Sequence, residues 1–276
     1  MNVQSITCQT DLYNLHSHTH FCDGKASMQE IAEAARRVGM LHLGFTPHSP
    51  IACHSTCNMV REAVGPYLSE IARLRDIHGE QMQVWQSMEI DYLSRDFGPH
   101  IDYFQRLPLD YRLASVHFVP NYDGIPIDCD GRYERFSQRL KEEFRGDIRY
   151  VVEKFFEHTL TMIELGGFDI LGHFDKIARN ASQASPGIEE ESWYEALIDD
   201  VISHAISAQV AIEVNTKAYD EHKRFFPSQR WMDKVIASGL PIVVNSDVHH
   251  PDKVNAGRNE ALKLIRPKLK NEVRKI

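Results

Sequence analysis

The clearest chemical feature of the sequence is a pair of histidines, His16 and His18, two residues apart in the segment LHSHTH. Residues i and i+2 of a β-strand share one face, so both imidazoles can point at one cation. Histidine is the commonest metal ligand among side chains. Asp23 lies five residues further on and adds a carboxylate. An HxH pair alone is equally typical of surface or hydrogen-bonded histidines, so its interpretation depends on the rest of the chain.

Further side chains of ligand type follow later apolar runs of the sequence. Each of them, taken alone, is more typical of a hydrogen-bonded structural residue. Six of the seven apolar runs, however, supply a nitrogen or oxygen ligand at the same end. The candidates of these runs beyond the first are His48, Glu89, His117, His173, Asp247 and His249, and the remaining run holds the polar residues Glu213 and Asn215. Their recurrence favours one shared site over unrelated local roles.

A parallel β/α fold would bring these ligands together. Short apolar runs alternate with helical patterns, which is typical of that fold class. A glycine-rich phosphate turn is missing after the first run, which argues against an open doubly wound sheet. The sequence therefore favours a closed or distorted barrel, with the site at the carboxyl ends of the strands. The predicted strands span residues 12–18, 41–48, 84–92, 112–119, 168–173, 210–215 and 241–249.

Six helices are predicted between or after these strands. The first has the strongest signals, because Ser27 and Glu30 have capping-box spacing and Gly39 ends the amphipathic pattern. The others span residues 60–77, 148–165, 189–208, 228–237 and 258–265. Residues 120–146 are rich in charges and turn residues and are predicted to be an insertion or lid. We expect residues 1–276 to form a single domain.

The composition restricts the class of protein. The chain has 276 residues, 42% hydrophobic and 25% charged, which is typical of a globular protein with one large core. A formal charge of -8 argues against nucleic-acid partners. The five cysteines form no CxxC pair, so neither a disulfide framework nor a thiolate zinc site is predicted. With no membrane span or signal peptide in the sequence, we expect a cytoplasmic protein without membrane partners.

The order of the motifs resembles the PHP (polymerase and histidinol phosphatase) family of metal-dependent phosphoesterases. In chain order the motifs are HxH ending at His18, TxH at His48, the isolated Glu89, SxH at His117, GH at His173 and SDxH at His249. The segments FCDGKAS, GFTPHSP, EVNTKAY and NSDVHHPDKV are similar to those of stand-alone histidinol-phosphate phosphatases. The resemblance spans residues 14–261 and implies the PHP fold, a distorted (β/α)7 TIM-like barrel with a trinuclear metal site.

The resemblance also implies which residues bind the two or three divalent ions. Glu89 would bridge the first two ions, and Asp23, for which His20 is an alternative, would belong to the third. The implied ligands are His16, His18, Glu89 and Asp247 for the first ion, Glu89, His117 and His173 for the second, and Asp23, His48 and His249 for the third. Nitrogen and oxygen ligands without thiolate fit zinc, manganese or iron.

Such a site can hydrolyse a phosphoester. Two cations roughly 3.5–4 Å apart can share a hydroxide for in-line attack on phosphorus, and a third can offset charge on the leaving alkoxide. Metal-bound water, or His249 or Asp247 acting through one, is the predicted proton donor. Arg179 is the first candidate for phosphate binding. Other candidates for contacts with the substrate are Lys176, Lys217, Arg224, His54, Asp91, Glu213 and Asn215, although any of these cations could instead be a solvated surface charge.

The leading hypothesis is a phosphomonoesterase that hydrolyses L-histidinol phosphate to L-histidinol and phosphate in histidine biosynthesis. A second hypothesis keeps the metals but replaces the substrate by a sugar phosphate, a nucleotide or phosphotyrosine. A third is a non-catalytic metal-binding domain. An amidohydrolase barrel ranks below these, because its bridging ligand is commonly a carboxylated lysine, whereas this chain has Glu89.

Overall fold

A computed structural model describes residues 2–53 and 55–273 of the chain, which form a mixed α/β fold with parallel sheets. The strands are β1 Tyr13–Asn14, β2 His42–Phe45, β3 Gln83–Gln86, β4 Glu89–Asp91, β5 Leu113–Ser115, β6 Phe118–Pro120, β7 Pro126–Asp128, β8 Ile170–Leu171, β9 Ala211–Asn215 and β10 Ile242–Asn245. One parallel sheet has the order β1, β2, β3, and the other has the order β10, β9, β8, β5, β4. Strands β6 and β7 form an antiparallel hairpin.

Isolated parallel bridges connect the two sheets. Ser17, beyond β1, pairs with Val248, beyond β10, and His48, beyond β2, pairs with Glu89 at the start of β4. The amide of His18 donates to the carbonyl of Val248 at 2.8 Å. Every predicted strand overlaps an observed one, and the third is divided into β3 and β4.

The helices pack around these strands. They are α1 Val3–Gln9, α2 Met28–Arg37, α3 Val64–His78, α4 Asp102–Gln105, α5 Tyr133–Glu142, α6 Ile148–Leu165, α7 Ala178–Ala184, α8 Ser192–Ala208, α9 Tyr219–His222, α10 Met232–Ala237 and α11 Arg258–Val273. All six predicted helices are observed, and α11 extends eight residues beyond its predicted end at residue 265. Helices α1, α4, α5, α7 and α9 were not predicted. None of the helices in the described ranges is long and apolar enough to cross a membrane.

Helix α2 forms as its sequence predicts. The Ser27 hydroxyl accepts from the Glu30 amide at 3.2 Å, and the Glu30 carboxylate accepts from the Ser27 amide at 2.8 Å. This capping box satisfies amide groups that have no partner within the helix. Gly39 follows the helix with φ +80°, a left-handed conformation that glycine adopts without steric cost. Helix α2 therefore ends at Arg37, and the chain turns at Gly39 before β2 begins at His42.

The predicted insertion at residues 120–146 contains regular structure. It contributes β7 and α5, and Gly124, with φ +79°, lies in the turn between the hairpin strands. Phe136 and Leu140 of α5 are buried in the main apolar core. Burial of each such side chain contributes about 1.5–3 kcal/mol. The segment is thus anchored beside the strand ends that carry the candidate ligands.

Candidate metal centre

The nine predicted metal ligands lie together: most follow the carboxyl ends of parallel strands, Glu89 begins β4, and Asp23 lies in the loop after β1. They are His16, His18, Asp23, His48, Glu89, His117, His173, Asp247 and His249. Seven of the nine are buried, and Asp23 and His249 are partly exposed. The strands hold them there because parallel strands direct their carboxyl ends to the same side of the sheet.

The first group consists of His16, His18 and Asp247. The two Nε2 atoms of the histidines are 3.0 Å apart, and Oδ1 of Asp247 lies 3.6 Å from that of His16 and 3.2 Å from that of His18. Asp247 has φ +49°, a left-handed conformation uncommon outside glycine. Such backbone strain is concentrated at functional sites, where the surrounding structure maintains it.

The carboxylate of Glu89 lies between two sets of imidazoles. Oε2 is 3.3 Å from Nε2 of both His16 and His18 and 3.1 Å from Nδ1 of His48. Oε1 is 2.8 Å from Nε2 of His173 and 3.5 Å from Nε2 of His117. Its two oxygens therefore face different histidines, as a bridging ligand requires.

The third group combines Asp23 with three histidines. Oδ1 of Asp23 lies 3.3 Å from Nε2 of His249, 3.6 Å from Nδ1 of His18 and 3.9 Å from Nε2 of His48. Oδ1 of Asp23 and Nδ1 of His48 are buried, and neither has a hydrogen-bond partner in the described part of the chain. A buried polar atom without a partner is costly. A cation bound here would satisfy Oδ1 of Asp23, and a cation bound beside Glu89, which faces Nδ1 of His48, would satisfy that nitrogen, so the donor set fits metal ions.

The charges of the cluster also favour cations. Burial alone would raise the pKa of Glu89, but His16, His48 and His117 hold it well below its usual range. Burial likewise opposes ionisation of Asp247, and Lys217 and His16 lower its pKa. Both carboxylates are therefore ionised at neutral pH.

Two histidines of the third group, His48 and His249, are neutral at neutral pH. Burial lowers the pKa of His48 to about 3 and that of His249 to about 4. A neutral imidazole keeps a lone pair on one ring nitrogen, which is the form that binds metals.

Two carboxylates lie behind the ligand histidines. Oε1 of Glu213 is 2.7 Å from Nδ1 of His16, and Oδ1 of Asp91 is 2.6 Å from Nδ1 of His117. An ionised carboxylate only accepts hydrogen bonds, so both Nδ1 atoms must donate. The tautomer of each ring is then set so that Nε2 faces the cluster, the arrangement expected of partners of metal-bound histidines.

Some of the residues predicted to contact substrate lie elsewhere. Glu213 and Asn215 are fully buried behind the cluster, where they bind protein groups and do not line the cavity described below. Asp91 does line it, but its oxygens are taken by His117 and by the amide of Asn58, which donates at 2.7 Å. Strand register turns these three side chains toward residues of the candidate cluster, and their contact with substrate stays a prediction.

A cavity of about 790 Å³ opens above the cluster. Lys176 is its most deeply placed cation: Nζ lies 3.4 Å from Nε2 of both His117 and His173 and 3.0 Å from Oδ2 of Asp130. Lys217 also lines the cavity, with Nζ 3.1 Å from Nε2 of His249. These two lysines are the cations that lie nearest the ligands.

The predicted arginines lie further out. Arg179 lines the cavity, and its guanidinium donates to the carbonyl of Gly131 and lies 3.8 Å from Asp130. Arg224 instead donates two hydrogen bonds of 2.8 Å to Glu189. The structure therefore leaves Arg179 available to the cavity and holds Arg224 in an internal ion pair.

The remaining histidine candidates are separate from the cluster. His20 and His250 are exposed, and within the described ranges neither joins a group that could bind metal. His54, a predicted substrate contact, lies outside the described residues. The cavity also contains Asp130, which was not predicted to belong to the site. Asp130 comes from the insertion, whose folding back over the site has no local sequence signal.

A model of the PHP domain family matches residues 14–217. Two curated relatives, each named "Probable histidinol-phosphatase", come from Schizosaccharomyces pombe (24% identity over 255 residues, 87% of this chain and 81% of the relative) and Deinococcus radiodurans (23% over 266 residues, 93% and 94%). The solved hisK protein of Listeria monocytogenes superposes with a TM-score of 0.77 at 16% identity, covering 90% of this chain and 99% of that one. Histidinol phosphate phosphatase from Lactococcus lactis, solved with zinc, L-histidinol and phosphate, gives a TM-score of 0.69 at 20% identity, covering 94% of each chain.

Proposed function

The chain belongs to the PHP domain family, and from that premise we propose that it is a metal-dependent phosphomonoesterase that hydrolyses L-histidinol phosphate to L-histidinol and phosphate. The observation that carries the proposal is the position of Glu89 between two sets of imidazoles below an open, lysine-lined cavity. The relative from Lactococcus lactis, with zinc, L-histidinol and phosphate, supports this choice of substrate.

We propose that the nine clustered residues bind two or three divalent ions. Glu89 belongs to both of the first two positions, and Asp23, His48 and His249, with Nδ1 of His18 beside them, form the third. The donor set fits zinc, manganese or iron, and zinc in the Lactococcus lactis protein favours the first. Such ions supply a nucleophilic water of lowered pKa and offset the charge of the phosphate.

The cations of the cavity bind and orient the phosphate in this proposal. Lys176 is buried beside His117 and His173, and Lys217 lies beside His249, so both ammonium groups can reach a phosphate held above the ligands. Arg179 lies further out beside Asp130 and can close on the phosphate from the insertion side. Charge-assisted hydrogen bonds of this kind are shorter and stronger than neutral ones.

The leaving alkoxide needs a proton. Burial lowers the pKa of His249 to about 4, and Lys217 and His16 lower that of Asp247 against the opposing effect of burial, so at neutral pH His249 is not an imidazolium and Asp247 is an ionised carboxylate. A water held by these two residues is therefore the better donor. This proposal keeps the predicted role of His249 and Asp247, which act through a water.

The outer part of the cavity suits a cationic, aromatic leaving group. Asp128, Glu134 and Glu221 supply acidic groups, and Tyr133 and Phe226 supply aromatic rings. An ammonium group and an imidazole ring complement such a surface. Lys25, Arg132 and Arg135 line the same cavity, so the choice of histidinol phosphate over a sugar phosphate or a nucleotide depends on the likeness to the Lactococcus lactis protein.

We also propose that the two sheets form one closed, distorted (β/α)7 barrel within a single domain of residues 1–276. The bridges Ser17 to Val248 and His48 to Glu89 support closure at both seams. Residues 120–146 would act as a lid, since Asp130 and Tyr133 line the cavity from that segment.

The test compares kcat/KM of the zinc- or manganese-loaded protein on four substrates: L-histidinol phosphate, a hexose phosphate, a nucleoside monophosphate and phosphotyrosine. We expect a preference of at least about 100-fold for histidinol phosphate. Equal or higher values on another ester would overturn the substrate. Absence of hydrolysis by the fully loaded protein would favour a non-catalytic metal-binding domain.

A further inference from the structure

The carboxylate of Glu213 is saturated by hydrogen-bond donors from several elements. Oε1 accepts from Nδ1 of His16 at 2.7 Å and from Nδ2 of Asn245 at 2.9 Å. Oε2 accepts from the backbone amide of His173 at 3.0 Å and from Nδ2 of Asn215 at 3.2 Å. The side chain is fully buried, so these bonds compensate for the loss of water around a charged group.

These contacts connect ligands from three strands. His16 follows β1, and its bond to Glu213 directs Nε2 toward Asp247 and His18. The bond to the His173 amide fixes the backbone where β8 ends. The amide of Asn215 also donates to Oδ2 of Asp247 at 3.1 Å, so a third ligand, after β10, is connected through one intermediate group.

The geometry requires a carboxylate at this position. All four neighbours are donors, and an ionised glutamate offers only acceptors. Glutamine would turn an NH₂ group toward two of the donors, although its size and shape are nearly unchanged. The substitution therefore removes the arrangement of ligands while the packing of the strands is kept.

We propose that Glu213 is a positioning residue that sets the metal affinity of the whole centre by holding His16, His173 and Asp247 in place together. Among the described residues, Asp91 makes a comparable hydrogen bond with one candidate ligand, His117, and its other oxygen lies 4.0 Å from Nδ1 of His48. The inference rests on the metal centre proposed above but not on its substrate. It replaces the prediction that Glu213 contacts substrate.

The experiment compares three variants with the wild type. Glu213→Gln removes the shared acceptor, and Asp91→Asn removes the partner of a single histidine. Glu189→Gln is the matched control, because Glu189 is also a largely buried carboxylate, but its partner is Arg224 and it lies outside the metal groups. Zinc and manganese affinities are measured by competition with a chromophoric chelator, and thermal unfolding is recorded in EDTA.

We expect Glu213→Gln to lose about 10- to 100-fold in metal affinity, the usual effect of removing an outer partner of a ligand. Asp91→Asn should lose less metal affinity than Glu213→Gln. Glu189→Gln should keep the metal affinity of the wild type but unfold at a lower temperature. At saturating metal, Glu213→Gln should recover most of its kcat with an unchanged KM.

Wild-type metal affinity in folded Glu213→Gln would overturn the inference, and so would a raised KM at saturating metal, which indicates substrate contact. If Glu213→Gln does not fold in EDTA, Asn215→Ser provides the test, since it removes the connection from Glu213 through Asn215 to Asp247 and leaves the bonds of Glu213 to His16 and His173 in place. Asn215→Ser should then lose metal affinity by a smaller factor than the about 10- to 100-fold expected for Glu213→Gln. An unchanged metal affinity in Asn215→Ser would overturn the inference. Metal binding is measured without substrate, so failure of the wild type to hydrolyse histidinol phosphate is a separate outcome.

Discussion

Oε1 of Glu89 lies 2.8 Å from Nε2 of His173, while the other oxygen of the same carboxylate faces the histidines that follow β1 and β2. The His48 to Glu89 backbone bridge fixes this side chain at a seam between the two sheets. A carboxylate held in this way can set the separation of two cations, which is about 3.5–4 Å in two-metal sites. In the proposed metal centre, both of the first two positions would depend on Glu89.

Substitution of Glu89 by alanine should abolish phosphatase activity. The loss should exceed the roughly 10–100-fold cost of removing an outer partner of a ligand, because one change removes an oxygen from two positions. Phosphate release and circular dichroism, measured on the same preparations, separate catalysis from folding. Glu153→Gln, on the exposed surface of α6, is the control and should retain activity. Wild-type-like hydrolysis by Glu89→Ala would refute the bridging role.

Removal of metal should lower both activity and stability. An ion present at a hundredfold excess over its Kd adds about 2.7 kcal/mol to the free energy of unfolding. For a chain of this length, 1 kcal/mol corresponds to roughly 2–4 °C in Tm, so EDTA should lower Tm by about 5–10 °C. Differential scanning fluorimetry with and without EDTA measures the shift, and added zinc or manganese should reverse it. An unchanged Tm together with unchanged activity would argue against a metal centre.

The stability of the protein should also depend on pH through His158, away from the ligands. Burial lowers the pKa of His158 to about 4, and its ring contacts Tyr92 edge to face at 5.2 Å. The unfolded chain, with a pKa near 6.5, takes up the proton first as the pH falls. The resulting destabilisation is absent above about pH 6.5 and grows as the pH falls toward 4, to roughly 3 kcal/mol at most.

The variant His158→Phe tests this dependence, because phenylalanine keeps the aromatic contact but does not titrate. Urea unfolding of both proteins in EDTA at pH 7.5, 5.5 and 4.5 gives the difference in free energy of unfolding at each pH. That difference should shift in favour of the variant as the pH falls. A constant difference would mean that His158 titrates alike in the folded and unfolded chains.

The clustering of the candidate ligands could be predicted from the sequence because their signals are local. His16 and His18 share a face through the two-residue period of a strand, and Glu30 closes the capping box of α2 at fixed spacing from Ser27. Once the strands are parallel, their carboxyl ends meet at one edge of the sheet, so candidate ligands that are distant in the sequence come together. Short elements escaped prediction for the opposite reason: α4 and α9 have four residues each, too few for a helical period to be visible.

The partners of the ligands could not be predicted, because residue type does not say which way a side chain turns. Glu213 could equally have faced a substrate, but its register opposite Val243 in β10 places it beside Asn245 and His16. Asp91 shares a face with Glu89 two residues earlier, which in retrospect is a usable signal. Asp130 comes from the insertion, and only the tertiary fold brings it to Lys176.

The last prediction separates the two candidates for the third position. Oδ1 of Asp23 faces His18, His48 and His249, whereas the side chain of His20 is exposed. Asp23→Ala should therefore lose one ion per chain, and His20→Ala should lose none, as measured by plasma emission after dialysis against limiting metal. Loss of an ion from His20→Ala alone would mean that residues 19–24 adopt another arrangement when metal binds. Equal metal content in both variants and the wild type would show that Asp23 is dispensable and that the three histidines are sufficient for the third site.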